Sequence, residues 1–282
     1  MPPPRKPFRP PPAEMEGTRL ESSEEILQAL AARRAGRATD EMPALPVPPL
    51  PVRPAPVTAV EPADVQPERP TQRPPMALLC VLDDGRPDGE LIRLRAERTM
   101  IGRTEGDIRI AHDGQISSRH AEIVRQRTAS GWRWLLTDLG STNGVYVRVG
   151  SSVLRDGYEL MVGQGRYRFE LPDFDAGGET QAGGGRDMRP TLVEVTAAGP
   201  LQRFPLVHPE LWIGRDPRAC AIARPEDALV SPRHARVYRT DKGWHVENHR
   251  SFNGLWLRVE QVALGDNCQF RLGEQRFLFR VL

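Results

Sequence analysis

Cysteine is scarce in this 282-residue chain: only Cys80, Cys220 and Cys268, scattered and with no CxxC pair. That excludes a disulfide scaffold and the common zinc-ribbon spacings. Cys80 and Cys268 fall in strand-like stretches and read as buried thiols of a reduced, cytosolic protein. Long apolar runs are missing too. The longest, Met76-Ala-Leu-Leu-Cys-Val-Leu82, is far too short to span a bilayer. The opening MPPPRKPFRPPP has no apolar core of a secretory signal. There is no excess of one charge. The net charge is +2, from 39 Lys and Arg against 37 Asp and Glu, which favours neither nucleic acid nor a membrane as partner. No GxxxxGK[ST] loop and no GxSxG elbow occurs, so neither nucleotide hydrolysis nor serine-hydrolase chemistry is indicated. His245 and His249 are four apart but in WHVENH, a strand and turn where that spacing does not converge on a metal. The sequence suggests no catalytic residue, metal or cofactor.

What is present is unevenly distributed. Of 28 prolines, 19 precede residue 77, together with ten acidic and ten basic residues and a single aromatic, Phe8. Such a segment cannot bury enough apolar surface to offset chain entropy, so residues 1–75 are expected to be a disordered tail. One island, Ser22-Ser-Glu-Glu25 before Ile26, Leu27 and Leu30, has the form of a capping box and suggests a short helix over 22–35. Residues 173–189, DFDAGGETQAGGGRDMR, read as a flexible Gly-rich linker.

The remainder is rich in short β-type stretches broken by Gly, Asp or Pro, with no sustained helical period. It predicts an all-β protein built of antiparallel sandwiches. These stretches also repeat. IGR at 101–103 returns at 213–215, ISSRHAEIV at 116–124 as VSPRHARVY at 230–238, and GSTNGVYV at 140–147 as RSFNGLWL at 250–257. The offset of 110–114 residues suits two copies of one domain, at 76–172 and 190–282. The five tryptophans, Trp132, Trp134, Trp212, Trp244 and Trp256, lie on predicted strands and are expected in core or rim packing.

Each copy carries the same ordered set. In the first it is Gly102, Arg103, Ser117, His120, Asn143 and Gly144; in the second Gly214, Arg215, Ser231, His234, Asn253 and Gly254. All fall at strand ends or turns, so they can gather at one end of a sandwich. The chain thus resembles a tandem of forkhead-associated (FHA) domains, readers of phosphothreonine peptides. The resemblance implies that Arg103, Ser117, Ser118 and Thr142 meet the phosphate and Asn143 the peptide main chain after it. It gives His120 a structural role and places the protein downstream of a Ser/Thr kinase. The chemistry is apt: a phosphothreonine carries nearly two charges and three acceptor oxygens, matched by one guanidinium fork and several hydroxyls. A departure is Ser118, where many such domains have Arg or Lys; a site with one cation is expected to bind in the micromolar range.

The second copy keeps Arg215, Ser231 and Asn253 but has Pro232 for Ser118 and Phe252 for Thr142. It loses two donors and is expected not to bind phosphothreonine usefully. The sequence favours a non-enzymatic phosphothreonine-binding adaptor. Two alternatives stay open. One is a phosphate-independent scaffold. The other is a self-inhibited regulator whose own Thr18, Thr39, Thr58, Thr71 or Thr180 is the phospho-ligand.

Overall fold

The computed structural model describes residues 17–21, 74–82, 89–172 and 189–282. Among these residues there are twenty strands and no helix. The suggested helix over 22–35 lies outside the described residues, as do Thr39, Thr58, Thr71 and Thr180. In chain order the strands are β1 (Arg19–Leu20), β2 (Ala77–Leu82), β3 (Glu90–Leu94), β4 (Arg98–Gly102), β5 (Ile108–Arg109), β6 (Ala121–Thr128) and β7 (Gly131–Asp138). Then come β8 (Val145–Val153), β9 (Glu159–Val162), β10 (Gly165–Glu170), β11 (Thr191–Thr196), β12 (Gly199–Pro205), β13 (Glu210–Gly214) and β14 (Ile222–Ala223). The last six are β15 (Ala235–Thr240), β16 (Gly243–Asn248), β17 (Leu255–Val259), β18 (Gln261–Leu264), β19 (Cys268–Leu272) and β20 (Gln275–Val281). Strands such as β10 and β19 alternate buried and half-exposed residues, as period-two patterning requires.

The two repeats exchange their C-terminal halves. β2 of the first repeat pairs with β20 of the second over Ala77–Leu82. β7 pairs with β18. Reciprocally, β10 pairs with β11, and β16 with the far end of β8. Each sandwich therefore combines the N-terminal half of one repeat with the C-terminal half of the other. One sandwich is closed by the sheet β18-β7-β6-β4-β5. The core follows the exchange: Trp134 packs edge-on to Phe279 with centroids 5.6 Å apart, and Tyr167 against Phe204 at 6.3 Å. All three cysteines are buried and unbridged. Trp134, Trp244 and Trp256 are buried, whereas Trp132 is exposed on its strand.

The crossover is the antiparallel pair β8–β17. Its register joins Leu255 to Val149, Trp256 to Arg148, Leu257 to Val147, Arg258 to Tyr146 and Val259 to Val145. By the repeat alignment Val147 is the counterpart of Leu257, Tyr146 of Trp256 and Arg148 of Arg258. The pairing thus maps onto itself about Val147 and Leu257, a pseudo-two-fold between repeats. The physical reason is general: identical folds offer one another the interfaces they offer themselves.

The tail expectation needs one correction, at residues 17–21. β1 pairs with β8, and Glu21 is buried beside the Arg148 guanidinium, also accepting from Asn248 Nδ2 at 2.6 Å. The reason is electrostatic. Arg258 is neutralised by Glu159 at 2.9 Å, but the counterpart of Glu159 is Gln269, which offers Arg148 only a neutral acceptor at 3.3 Å. Glu21 supplies the missing charge.

Candidate functional site

In the first repeat the recognition loops are tied to one another by backbone and short side chains. The Arg103 N–H donates to Ser117 O (2.9 Å), and the Glu105 N–H to Ser118 O (3.1 Å). Gly102 makes this approach possible, since a Cβ there would strike the Ser118 carbonyl. The Thr142 N–H donates to Ser117 Oγ at 3.1 Å. A hydroxyl has one donor and room for two acceptances, so the Ser117 O–H is left to donate outward. Asn143 Nδ2 donates to Gln115 O at 2.8 Å, which fixes its amide while leaving Oδ1 and one N–H. Arg103, Ser117, Ser118, Thr142 and Asn143 are all half-buried or exposed. The Arg103 Nε is buried without a hydrogen-bond partner, and no carboxylate pairs with the guanidinium among the described residues.

His120 lies beneath these loops, fully buried. Its Nδ1 accepts from the Ser117 N–H (3.1 Å) and its Nε2 faces Gly144 O (3.1 Å). Only the neutral ring protonated on Nε2 satisfies both contacts. Burial pushes its pKa below the ordinary value, partly offset by the Gly144 carbonyl. Its work is to join the Ser117 loop to the Asn143–Gly144 turn. Gly144 takes φ of 84°, and a Cβ there would strike the Arg258 guanidinium.

The second repeat has the same frame. The Arg215 N–H donates to Ser231 O (2.9 Å), Asn253 Nδ2 to Leu229 O (2.7 Å), and the Ser231 N–H to His234 Nδ1 (3.2 Å), with His234 Nε2 2.9 Å from Gly254 O. Burial lowers the His234 pKa to about 4. Gly214 lies against the Pro232 carbonyl, and Gly254 takes φ of 78°. The chemistry differs. Pro232 is exposed where a hydroxyl stands in the first repeat, Phe252 is half-buried, and Asp216 follows Arg215 directly. The Asp216 carboxylate accepts from the Arg218 N–H at 2.9 Å.

Sequence reasoning missed three supports. Ser141 donates its N–H to Asp138 Oδ1 (2.8 Å) and accepts from the Gly144 N–H at Oγ (3.0 Å), which shapes the turn. Gln115 holds Asn143 through its carbonyl. Asp113 accepts from the Gln115 N–H (2.8 Å) and from the N–H groups of Glu274 (2.7 Å) and Gln275 (3.2 Å), so the second repeat props the first repeat's loop. Asp227 does the same for Gln164 at 2.8 Å. The Asp138-x-x-Ser141 spacing was a readable turn signal; the partners across the repeats were not. Among the described residues no cluster of metal-ligating side chains occurs, and no helix is long and apolar enough to cross a membrane.

This geometry defines a class: paired β-sandwiches that present an arginine, short hydroxyls and an asparagine on connected loops. Two segments, 99–163 and 211–273, match the FHA domain family model, consistent with two tandem FHA domains. It is 34% identical over 76 residues to the FHA domain-containing protein FhaB of Mycobacterium tuberculosis, covering 27% of this chain and 46% of that protein. Among solved structures it is similar to the FHA domain of CT664 from Chlamydia trachomatis (15% identity, 73% of this chain and 96% of that one, TM-score 0.30). It is also similar to Mycobacterium tuberculosis EmbR in complex with a low affinity phosphopeptide (26% identity, 34% and 24%, TM-score 0.22).

Proposed function

We propose that the protein is a phosphothreonine-binding adaptor of Ser/Thr kinase signalling that engages its partner mainly through the first repeat. The observation that carries this is Arg103: a guanidinium with no carboxylate partner among the described residues, on a loop bonded to Ser117, which is bonded in turn to Thr142. Those groups supply one cation and several donors, and Asn143 keeps free polar atoms for a peptide main chain. FHA domains are binding modules, and nothing in the site calls for a general base or metal. The second repeat keeps the frame but lacks the two hydroxyl donors and carries Asp216 beside its arginine.

Calorimetry of the full chain with a phosphothreonine peptide tests this. Arg103→Ala should cost about 2–4 kcal/mol of binding, because a charged ligand loses its counter-charge, with the unfolding midpoint nearly unchanged. Wild-type affinity in the variant, or equal binding of the unphosphorylated peptide, would overturn the assignment. The latter result would favour a phosphate-independent scaffold. Of the threonines named in the self-inhibited alternative, only Thr18 lies among the described residues, and its Oγ1 is 2.6 Å from Ser152 Oγ on β8.

A further inference from the structure

At the pseudo-two-fold, on the face of β8–β17 away from the apolar core, lies a cavity of about 560 Å3. Tyr146, Met161, Arg166, Trp256, Arg271 and Arg276 line it. Arg166 comes from the first repeat, Arg271 and Arg276 from the second, so the lining exists only where the repeats meet. Arg271 feels the Glu274 carboxylate most strongly among its neighbouring charges and is opposed by both other guanidiniums, and Arg276 is opposed by Arg148. Yet no carboxylate pairs with any of the three among the described residues. Arg271 donates Nε–H to Gly273 O at 2.6 Å, and its Nη1 lies 3.3 Å from the Met161 thioether, a weak acceptor. Glu274 also lines the cavity, but it is exposed and its carboxylate accepts from Gln115 Nε2 at 2.7 Å. The Tyr146 hydroxyl is buried, with the residue 3% exposed; it lies beside the Arg166 guanidinium but makes no well-formed hydrogen bond.

Three like charges gathered with only the exposed Glu274 as partial compensation raise the free energy of the folded chain unless an anion joins them. Burial lowers the pKa of both Arg271 and Arg276, as expected of cations short of compensation. The cavity is much larger than one phosphate needs. Guanidinium forks suit phosphoryl oxygens, two at a time, and the Tyr146 O–H adds a neutral donor. We propose that this cavity is a binding site for a small oligophosphate, two or more linked phosphoryl groups held by Arg166, Arg271 and Arg276. The chain of phosphates is either free or part of a nucleotide. The site adjoins the Asn143 and Asn253 turns, which also border the cavity, but does not use Arg103, and it requires both repeats.

The test is isothermal titration of the full chain with sodium tripolyphosphate, with ATP and with sodium sulfate at matched ionic strength. Saturable 1:1 binding of tripolyphosphate, at least tenfold tighter than sulfate, is expected. Equal affinity for ATP assigns recognition to the phosphate chain alone, and tighter ATP binding adds a nucleoside contribution; both support the site. Arg166→Gln combined with Arg276→Gln should weaken binding more than tenfold, with the β-type circular dichroism spectrum retained. Should that pair not fold, Arg166→Gln alone should weaken binding severalfold. Arg103→Ala should leave it unchanged. Absence of saturable binding, sulfate binding as tightly, indifference to the arginine changes, or loss on Arg103→Ala would each overturn the proposal.

Discussion

His120 and His234 show how one residue type fixes a loop and sets a pH limit together. Each is fully buried, accepts a backbone N–H at Nδ1 and faces a carbonyl at Nε2. Protonating Nδ1 would turn that acceptor into a donor facing an N–H. For His234 the folded value is about 4 against an ordinary 6.5, with burial as the leading cause. Between those values the unfolded chain binds a proton that the folded chain does not. Stability is therefore expected to fall as pH drops from about 6.5 to 4, by up to about 1.4 kcal/mol per pH unit from His234. His120 acts in the same direction. Urea unfolding at pH 7 and pH 5 measures this. His234→Gln should flatten the dependence, and an undiminished slope in that variant would place the titration elsewhere. The structural role of both histidines was legible from Ser-x-x-His before an apolar strand. That the same ring reaches the glycine of the Asn-Gly turn was not, because that contact spans 24 residues in one repeat and 20 in the other.

Among the elements, the loops and the tail strand carry separate consequences. The turn Ser251–Gly254 repeats the frame of Ser141–Gly144, while Pro232 and Phe252 replace two hydroxyl donors. At roughly 1.5 kcal/mol or more per hydrogen bond to a charged group, binding by the second loops should be about two orders of magnitude weaker. An Arg103→Ala chain that also carries Pro232→Ser and Phe252→Thr should regain phosphothreonine binding, read by calorimetry. Micromolar binding by Arg103→Ala alone would show that the second loops already suffice. The tail strand makes a different demand. Arg148 is 3% exposed, and Glu21 is its only carboxylate partner among the described residues. Glu21→Gln should destabilise the fold by up to about 3 kcal/mol, since it leaves a buried charge uncompensated. Gln269→Glu, which restores the acid at the position equivalent to Glu159, should recover most of that loss. Thermal unfolding of the unmodified chain, Glu21→Gln and Glu21→Gln with Gln269→Glu decides it, and no recovery would mean that Glu21 acts through the β1 pairing instead. Proline density in residues 1–75 hid this strand: composition averages over a segment and cannot see one buried acid answering one buried base.

For the whole molecule, the strands and the doubling of the fold were legible, because period-two patterning and repeated motifs are local properties. The exchange of halves was not. Swapped and unswapped arrangements place the same residue types in the same kinds of contact, so nothing in the hydrophobic pattern separates them. What separates them is where the chain runs after Val147. Here β8 continues straight to Val153, and its far end pairs with β16 of the other repeat. Every core is then shared: β2 with β20, β7 with β18, β10 with β11, β9 with β17. Cutting the chain within residues 173–188 should not separate the repeats. With a protease site placed there, the cleaved protein is expected to elute as one species at the mass of the intact chain in native buffer. It should resolve into two fragments only in denaturant, with the cut lowering stability chiefly through lost tethering. Closed repeats would instead meet through an ordinary interdomain surface and come apart on dilution. Native separation into two folded fragments would therefore refute the exchange, and with it the shared arginine cavity, while leaving the Arg103 loops as a phosphothreonine site to be tested on their own.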